Sequence, residues 1–122
     1  METKLLYIEE YNQFIHTYKT GQVSAELAGE LICKLAAYYS DYNLKLVANQ
    51  KKLYCVAQDI EAREENGKTI SSAKAQAYIA ATEQNFDVMD LKAHVSNIEN
   101  FQSALRALLR SITNEYSYEK NA

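Results

Sequence analysis

Gly67-Lys68-Thr69 has the form of the end of a phosphate-binding loop, in which backbone amides wrap the phosphates and a lysine reaches the terminal groups. The full pattern needs a second glycine five residues earlier, where this chain has Ala62, and a strand before it that the sequence does not suggest. The triplet therefore reads as a turn. Asp87, Asp90 and His94 stand at i, i+3 and i+7, a spacing that lines three ligands along one helical face. Helical dinuclear centres instead take Glu-x-x-His from each of two helices, and that pattern occurs nowhere in this chain. With His16 and His94 as the only histidines, the trio reads as a solvated polar face, and neither a metal nor a cofactor is expected. Cys33 and Cys55 lack a companion cysteine or a close histidine, so they are expected as reduced structural thiols rather than a zinc site or an activated nucleophile. No Gly-x-Ser-x-Gly elbow is present either. The chain reads as a non-enzyme with no catalytic residues.

What remains is aromatic and basic. Tyr38, Tyr39 and Tyr42 fall within about one helical turn, and Tyr7, Tyr11 and Tyr18 recur along the first helix. Such a cluster offers flat faces and hydroxyls to a planar ligand such as a base or nucleotide; the competing reading, which the apolar stripes favour, is packing between the first helix and the rest. Arg106 and Arg110 stand one turn apart and suit a phosphate, whereas Lys45, Lys51 and Lys52 lie far from them along the hairpin. No single basic stripe results. A net charge of −3 argues against bulk electrostatic attachment to nucleic acid, which is not favoured as a partner.

These residues must be held by helices. Tyr7, Tyr11, Phe14 and Tyr18, at steps of four, three and four, predict a helix over 2–20 that Gly21 stops. Ser24 caps a second helix over 24–65, whose stripe runs Leu27, Leu31, Leu35, Tyr38, Tyr42, Leu46, Asn49, Leu53, Val56 and Ile60, widened by Ile32, Ala36, Tyr39 and Val47. Unbroken, it spans roughly 60 Å, with Gly29 and Ser40-Asp41-Tyr42-Asn43 as its weak points. Asn66-Gly67 is the one strong internal reversal, and residues 66–71 form the turn. A third helix follows over 72–118, capped by Ser71 or Ser72, with a bend expected near 82–87 where the pattern weakens. Its seam alternates by four and three through Leu91, Val95, Ile98, Gln102, Leu105, Leu109, Ile112 and Tyr116, with Gln102 as its single polar member.

The 122 residues contain no proline and three glycines, too few turn residues for a sheet protein, so the fold class is all-α: a short N-terminal helix on a long antiparallel helical hairpin, bundle-like or coiled-coil-like, in one domain. Leu5–Ile8 is the longest early apolar run and Glu9-Glu10 follows at once, so no leader or membrane span is expected and the cytosol is the expected compartment. Both long helices carry stripes wider than one seam, which points to a homodimer or larger helical assembly.

Leu27, Leu31 and Tyr38 before the turn, Gly67-Lys68-Thr69 followed by Ala73, Ala75 and Ala77, and then Lys92, Leu105, Leu108 and Glu115 give the hairpin a resemblance. It resembles small helical proteins encoded in bacteriophage genomes, often near recombination genes. The resemblance covers about 90 residues and omits the tyrosine-rich first helix. It implies a phage or prophage origin and carries over no catalytic residue. The leading expectation is a non-enzymatic oligomeric interaction protein, its partners being itself and an unidentified protein. One alternative is a binder that sequesters a nucleotide signal in antiphage defence; another is a single-stranded DNA recombination accessory protein.

Gln102 generates a test. A buried amide needs hydrogen-bond partners or costs about 1–3 kcal/mol, and polar seam residues fix register at some expense of stability. Gln102→Leu is expected to keep the fold by circular dichroism, raise the melting temperature and broaden the distribution of assemblies seen by light scattering.

Overall fold

The computed structural model describes residues 3–21 and 24–121, with side chains over 6–21 and 24–113. Among them the chain is all-α, with helices α1 (Thr3–Lys19), α2 (Ala25–Glu61), α3 (Ser72–Ala80) and α4 (Glu83–Asn121), and α2 packs with α4 as a long helix pair. Two-residue strands β1 (Glu64–Glu65) and β2 (Lys68–Thr69) lie between α2 and α3. Glu2, placed in the first helix on sequence, and the side chain of Tyr116, the last seam member, lie outside the described residues. The residues gather into two compact units, Met1–Ser40 with Ser96–Ala122, and Asp41–Val95.

The helix ends follow from local chemistry. Gly21 takes φ +78°, the left-handed conformation open to glycine, and its amide donates to the Tyr18 carbonyl at 3.0 Å. Ser24 Oγ accepts from the Leu27 amide at 3.2 Å, the N-cap read from sequence. α2 continues through Gly29 and through Ser40-Asp41-Tyr42-Asn43 without a break, because flanking leucines and tyrosines bury the same face on either side.

α2 ends at Glu61, four residues before the expected boundary, since residues 64–69 fold into a hairpin instead. Glu64 pairs with Thr69 and Glu65 with Lys68 across Asn66-Gly67, whose φ values of 56° and 75° are the two positive angles a two-residue type I′ turn demands. Gly67-Lys68-Thr69 is thus part of this hairpin. The polar, two-residue strands leave no alternating pattern to read.

The bend expected near 82–87 is a full break at Ala81-Thr82. With neither glycine nor proline available, Thr82 supplies it. Its hydroxyl donates to the Ile79 carbonyl at 2.7 Å, closing α3, and accepts from the Asn85 amide at 3.1 Å, opening α4. Asn85 Nδ2 donates back to the Ala80 carbonyl at 3.0 Å.

In the first unit the core is Tyr7, Phe14, Ala28, Leu31, Leu35, Ile98 and Leu105, with Gln102 buried among them at seam spacing. The break at Ala81-Thr82 does not turn Gln102 to solvent. In the second unit Tyr42, Leu46, Ile60, Ala75, Val88, Leu91 and Val95 are buried. Each fully buried aliphatic side chain contributes roughly 1.5–3 kcal/mol.

A small ionic cluster ties the hairpin to α3. Lys74 donates to Glu65 Oε2, and the Tyr78 hydroxyl donates to Glu65 Oε1 at 3.2 Å. The Lys74 hydrogen bond holds the Glu65 carboxyl below its ordinary range, and the same bond raises the Lys74 ammonium. A lowered folded-state pKa stabilises the hairpin above the ordinary glutamate range and loses that contribution as pH falls through the folded value. Carboxyl-carbon NMR titration is expected to give Glu65 a midpoint below that of an unpaired glutamate, and Lys74→Ala is expected to move it back up. An unchanged midpoint in the variant would remove the tie.

Candidate interaction surface

The tyrosines singled out by their spacing have separate fates. On α1, Tyr7 is fully buried, Tyr11 is half-buried and Tyr18 is exposed. The Tyr7 ring lies 5.9 Å from Tyr38 and 5.9 Å from Phe101, tilted at 53° and 52°, while Tyr11 stacks on Phe101 at 3.9 Å and 4°. Phe101 organises this cluster, yet it sits outside the heptad seam, one position before Gln102, so spacing did not mark it. Three helices therefore meet in one aromatic core, and Tyr7 offers no free face to a ligand.

Burial and, secondarily, the charge of Glu10 push the Tyr38 hydroxyl up. Glu10 Oε2 is itself shut off from solvent with no hydrogen-bond partner. Tyr39 is half-buried. Tyr42 belongs to the second unit, where it is buried and stacks on His94 at 5.1 Å, with the Lys45 ammonium 5.5 Å from its ring.

His94 Nε2 lies 3.8 Å from Asp90 Oδ1, and Asp87 is exposed on the same helix. No three His, Cys, Asp or Glu side chains gather as metal ligands among the described residues. Cys33 and Cys55 are free and exposed. Arg106 and Arg110 are exposed on α4 in the first unit, and Lys51 and Lys52 are exposed on α2 in the second. Lys45 pairs with Asp41 at 3.1 Å.

Concavities occur in both units. In the first unit a cleft of about 240 Å³ between α1 and α2 is floored by Phe14, Leu27 and Leu31 and edged by Glu10, Glu30 and Lys34. Ligand pockets for drug-sized molecules run to about 300–1,000 Å³, and two carboxylates to one lysine suit phosphate poorly. In the second unit a groove of about 380 Å³ runs along α2 and α4 beside α3, with Leu53, Ala57, Ile79 and Val88 for walls and Gln50 and Lys92 at its lip.

Tyr54, which also lines that groove, is one of five large apolar side chains exposed in the second unit. Leu44 is 69% exposed, Val47 42%, Tyr54 64%, Phe86 58% and Met89 57%. On α2, Leu44, Val47, Lys51 and Tyr54 follow at steps of three, four and three, a line turned away from the buried Tyr42, Leu46 and Ile60. On α4, Phe86, Met89 and Ala93 form a matching line, with Lys92 on its groove side and Asp90 on its far margin. Sequence reading marked Val47 as part of a wider stripe and passed over Leu44, Tyr54, Phe86 and Met89, which belong to no seam. Their signal was that very fact: large apolar residues off the seam on a helix with one partner.

Comparison with protein-family models, with curated proteins and with solved structures gives no match. No helix among the described residues is long and apolar enough to cross a membrane.

The contrast between core and rim tyrosines on α1 is directly measurable. Tyr7→Ala is expected to cost about 3–5 kcal/mol, as truncation of a buried aromatic does, whereas Tyr18→Ala is expected to stay within about 0.5 kcal/mol. Urea midpoints of the two variants decide it; equal losses would mean that Tyr7 is not the packing centre.

Proposed function

We propose that this protein is a non-enzymatic helical interaction protein that acts as an oligomer through the second unit's apolar surface. The observation that carries the reading is the exposure of Leu44, Val47 and Tyr54 along α2 and of Phe86 and Met89 along α4. Monomeric proteins scatter their exposed apolar residues, and contiguous patches mark association sites. Five large side chains are exposed in this unit and one of them, Tyr54, also lines the groove, which supplies apolar area of the kind that interfaces bury.

A phage or prophage origin, which rests on the resemblance of the hairpin, and action in a bacterial host's cytosol belong to the same reading. The two free, exposed cysteines fit a reducing compartment, where thiols persist. The burial of Tyr7 and Tyr42 and the acidic edge of the first-unit cleft give a nucleotide ligand less support than they give packing.

Sedimentation velocity tests the proposal. The wild-type chain is expected to sediment as an oligomer. Tyr54→Glu combined with Met89→Glu is expected to sediment as a monomer with a helical spectrum unchanged, since both side chains are mostly in water within one chain. A wild-type monomer at every concentration tested would overturn the reading.

A further inference from the structure

At about 380 Å³ the second-unit groove falls within the roughly 300–1,000 Å³ of small-molecule sites, whereas the first-unit cleft falls short of it. Its walls, Leu53, Ala57, Ile79 and Val88, come from α2, α3 and α4 and carry no polar side-chain atom. Such a trough takes an apolar body.

The remaining lining residues can all donate hydrogen bonds. Gln50 and Tyr54 stand one turn apart on α2, and Lys92 lines the groove from α4. Gln58 Nε2 donates to the Tyr54 hydroxyl at 3.0 Å, which uses that oxygen as an acceptor and leaves its own proton to be given to something else. Lys92 is the one charged residue of the lining, and among the described residues no carboxylate pairs with it. Asp90, two positions earlier, projects from another side of α4, where it lies 3.8 Å from His94. The groove therefore presents a single positive charge, an amide and a phenol to its occupant, and no acid. One ammonium with two neutral donors matches a single negative charge, and a carboxylate has about four lone-pair sites to receive them.

We infer that this groove is a binding site for an apolar monocarboxylate, a small molecule whose hydrocarbon body lies along Leu53, Ala57, Ile79 and Val88 and whose carboxylate accepts from Lys92, Tyr54 and Gln50. Lys92 supplies the charge that selects an acid over an alcohol or an amine, and the walls select an apolar body over a polar metabolite. The inference goes beyond the oligomeric reading and does not rest on it, although Tyr54 belongs to both surfaces.

Isothermal titration calorimetry of the full chain with decanoate, decanol and decyltrimethylammonium is the test. Decanoate is expected to bind at one site per chain and at least about tenfold more tightly than either of the others. Lys92→Gln is expected to remove that preference, Tyr54→Phe to weaken decanoate alone, and Ala57→Leu, which fills the trough, to weaken every probe. Lys51→Gln, which removes an exposed lysine outside the groove lining, is expected to bind decanoate as wild type does. Circular dichroism confirms that each variant keeps its helices. No decanoate binding, equal binding of decanoate and decanol, or equal losses in Lys92→Gln and Lys51→Gln would overturn the site. Sedimentation velocity on the same samples separates the two readings: an oligomer that ignores decanoate sinks this site alone, and a strict monomer that binds decanoate sinks the oligomeric reading alone.

Discussion

A helix that packs against one neighbour can hide one stripe of its surface, and this limit governs the rest of the molecule. α2 and α4 bury Leu31, Leu35, Tyr42, Leu46 and Ile60 on one side and Val88, Leu91, Val95, Ile98 and Leu105 on the other. Every large apolar residue off those lines must find a third element or stay in water. In the first unit α1 is that third element, and Tyr7 and Phe14 are buried there, although Leu27 stays exposed. In the second unit the nine-residue α3 reaches only part of the way, contributing Ile79 to the groove, and Leu44, Tyr54, Phe86 and Met89 remain bare. The exposed apolar side chains are the remainder of the packing problem.

Short polar side chains set where that packing begins and ends. Asn66-Gly67 reverses the chain at positive φ, and the hairpin it closes is clamped to α3 through Glu65, Lys74 and Tyr78. Thr82 separates α3 from α4 with one hydroxyl that donates backward and accepts forward. Because these devices sit at defined positions, the levels of α2 and α4 residues in the second unit follow from them. The stack of Tyr42 on His94 records that level.

Residue types that suggest chemistry are spent on structure here. A lysine and threonine after a glycine form a strand of the hairpin; an aspartate and histidine one turn apart form a helical pair; buried tyrosines replace the leucines a helical core commonly uses. Tyrosine suits such thin layers, since its ring packs while its hydroxyl stays near the edge.

Local rules were enough for much of this. The scarcity of glycine and proline specified helices; Gly21, Ser24, Asn66-Gly67 and the Ser71-Ser72 pair, of which Ser71 is the cap, marked their limits; and the alternation of four and three put Gln102 inside a seam, where it is buried. Each of these is decided within a few residues along the chain, by backbone freedom, capping geometry or helical periodicity. The tertiary structure decided the rest. It chose Tyr7 and Tyr42 for burial and left Tyr18 and Tyr54 in water; it made Phe101 the centre of an aromatic cluster; it turned a weakened pattern near 82–87 into a break at Thr82; and it exposed Leu27 although it lies on the core stripe. Periodicity says that a helix has a face, but which side chains on that face are covered depends on how far the neighbouring elements extend. That length is a property of other parts of the chain, and no local pattern contains it.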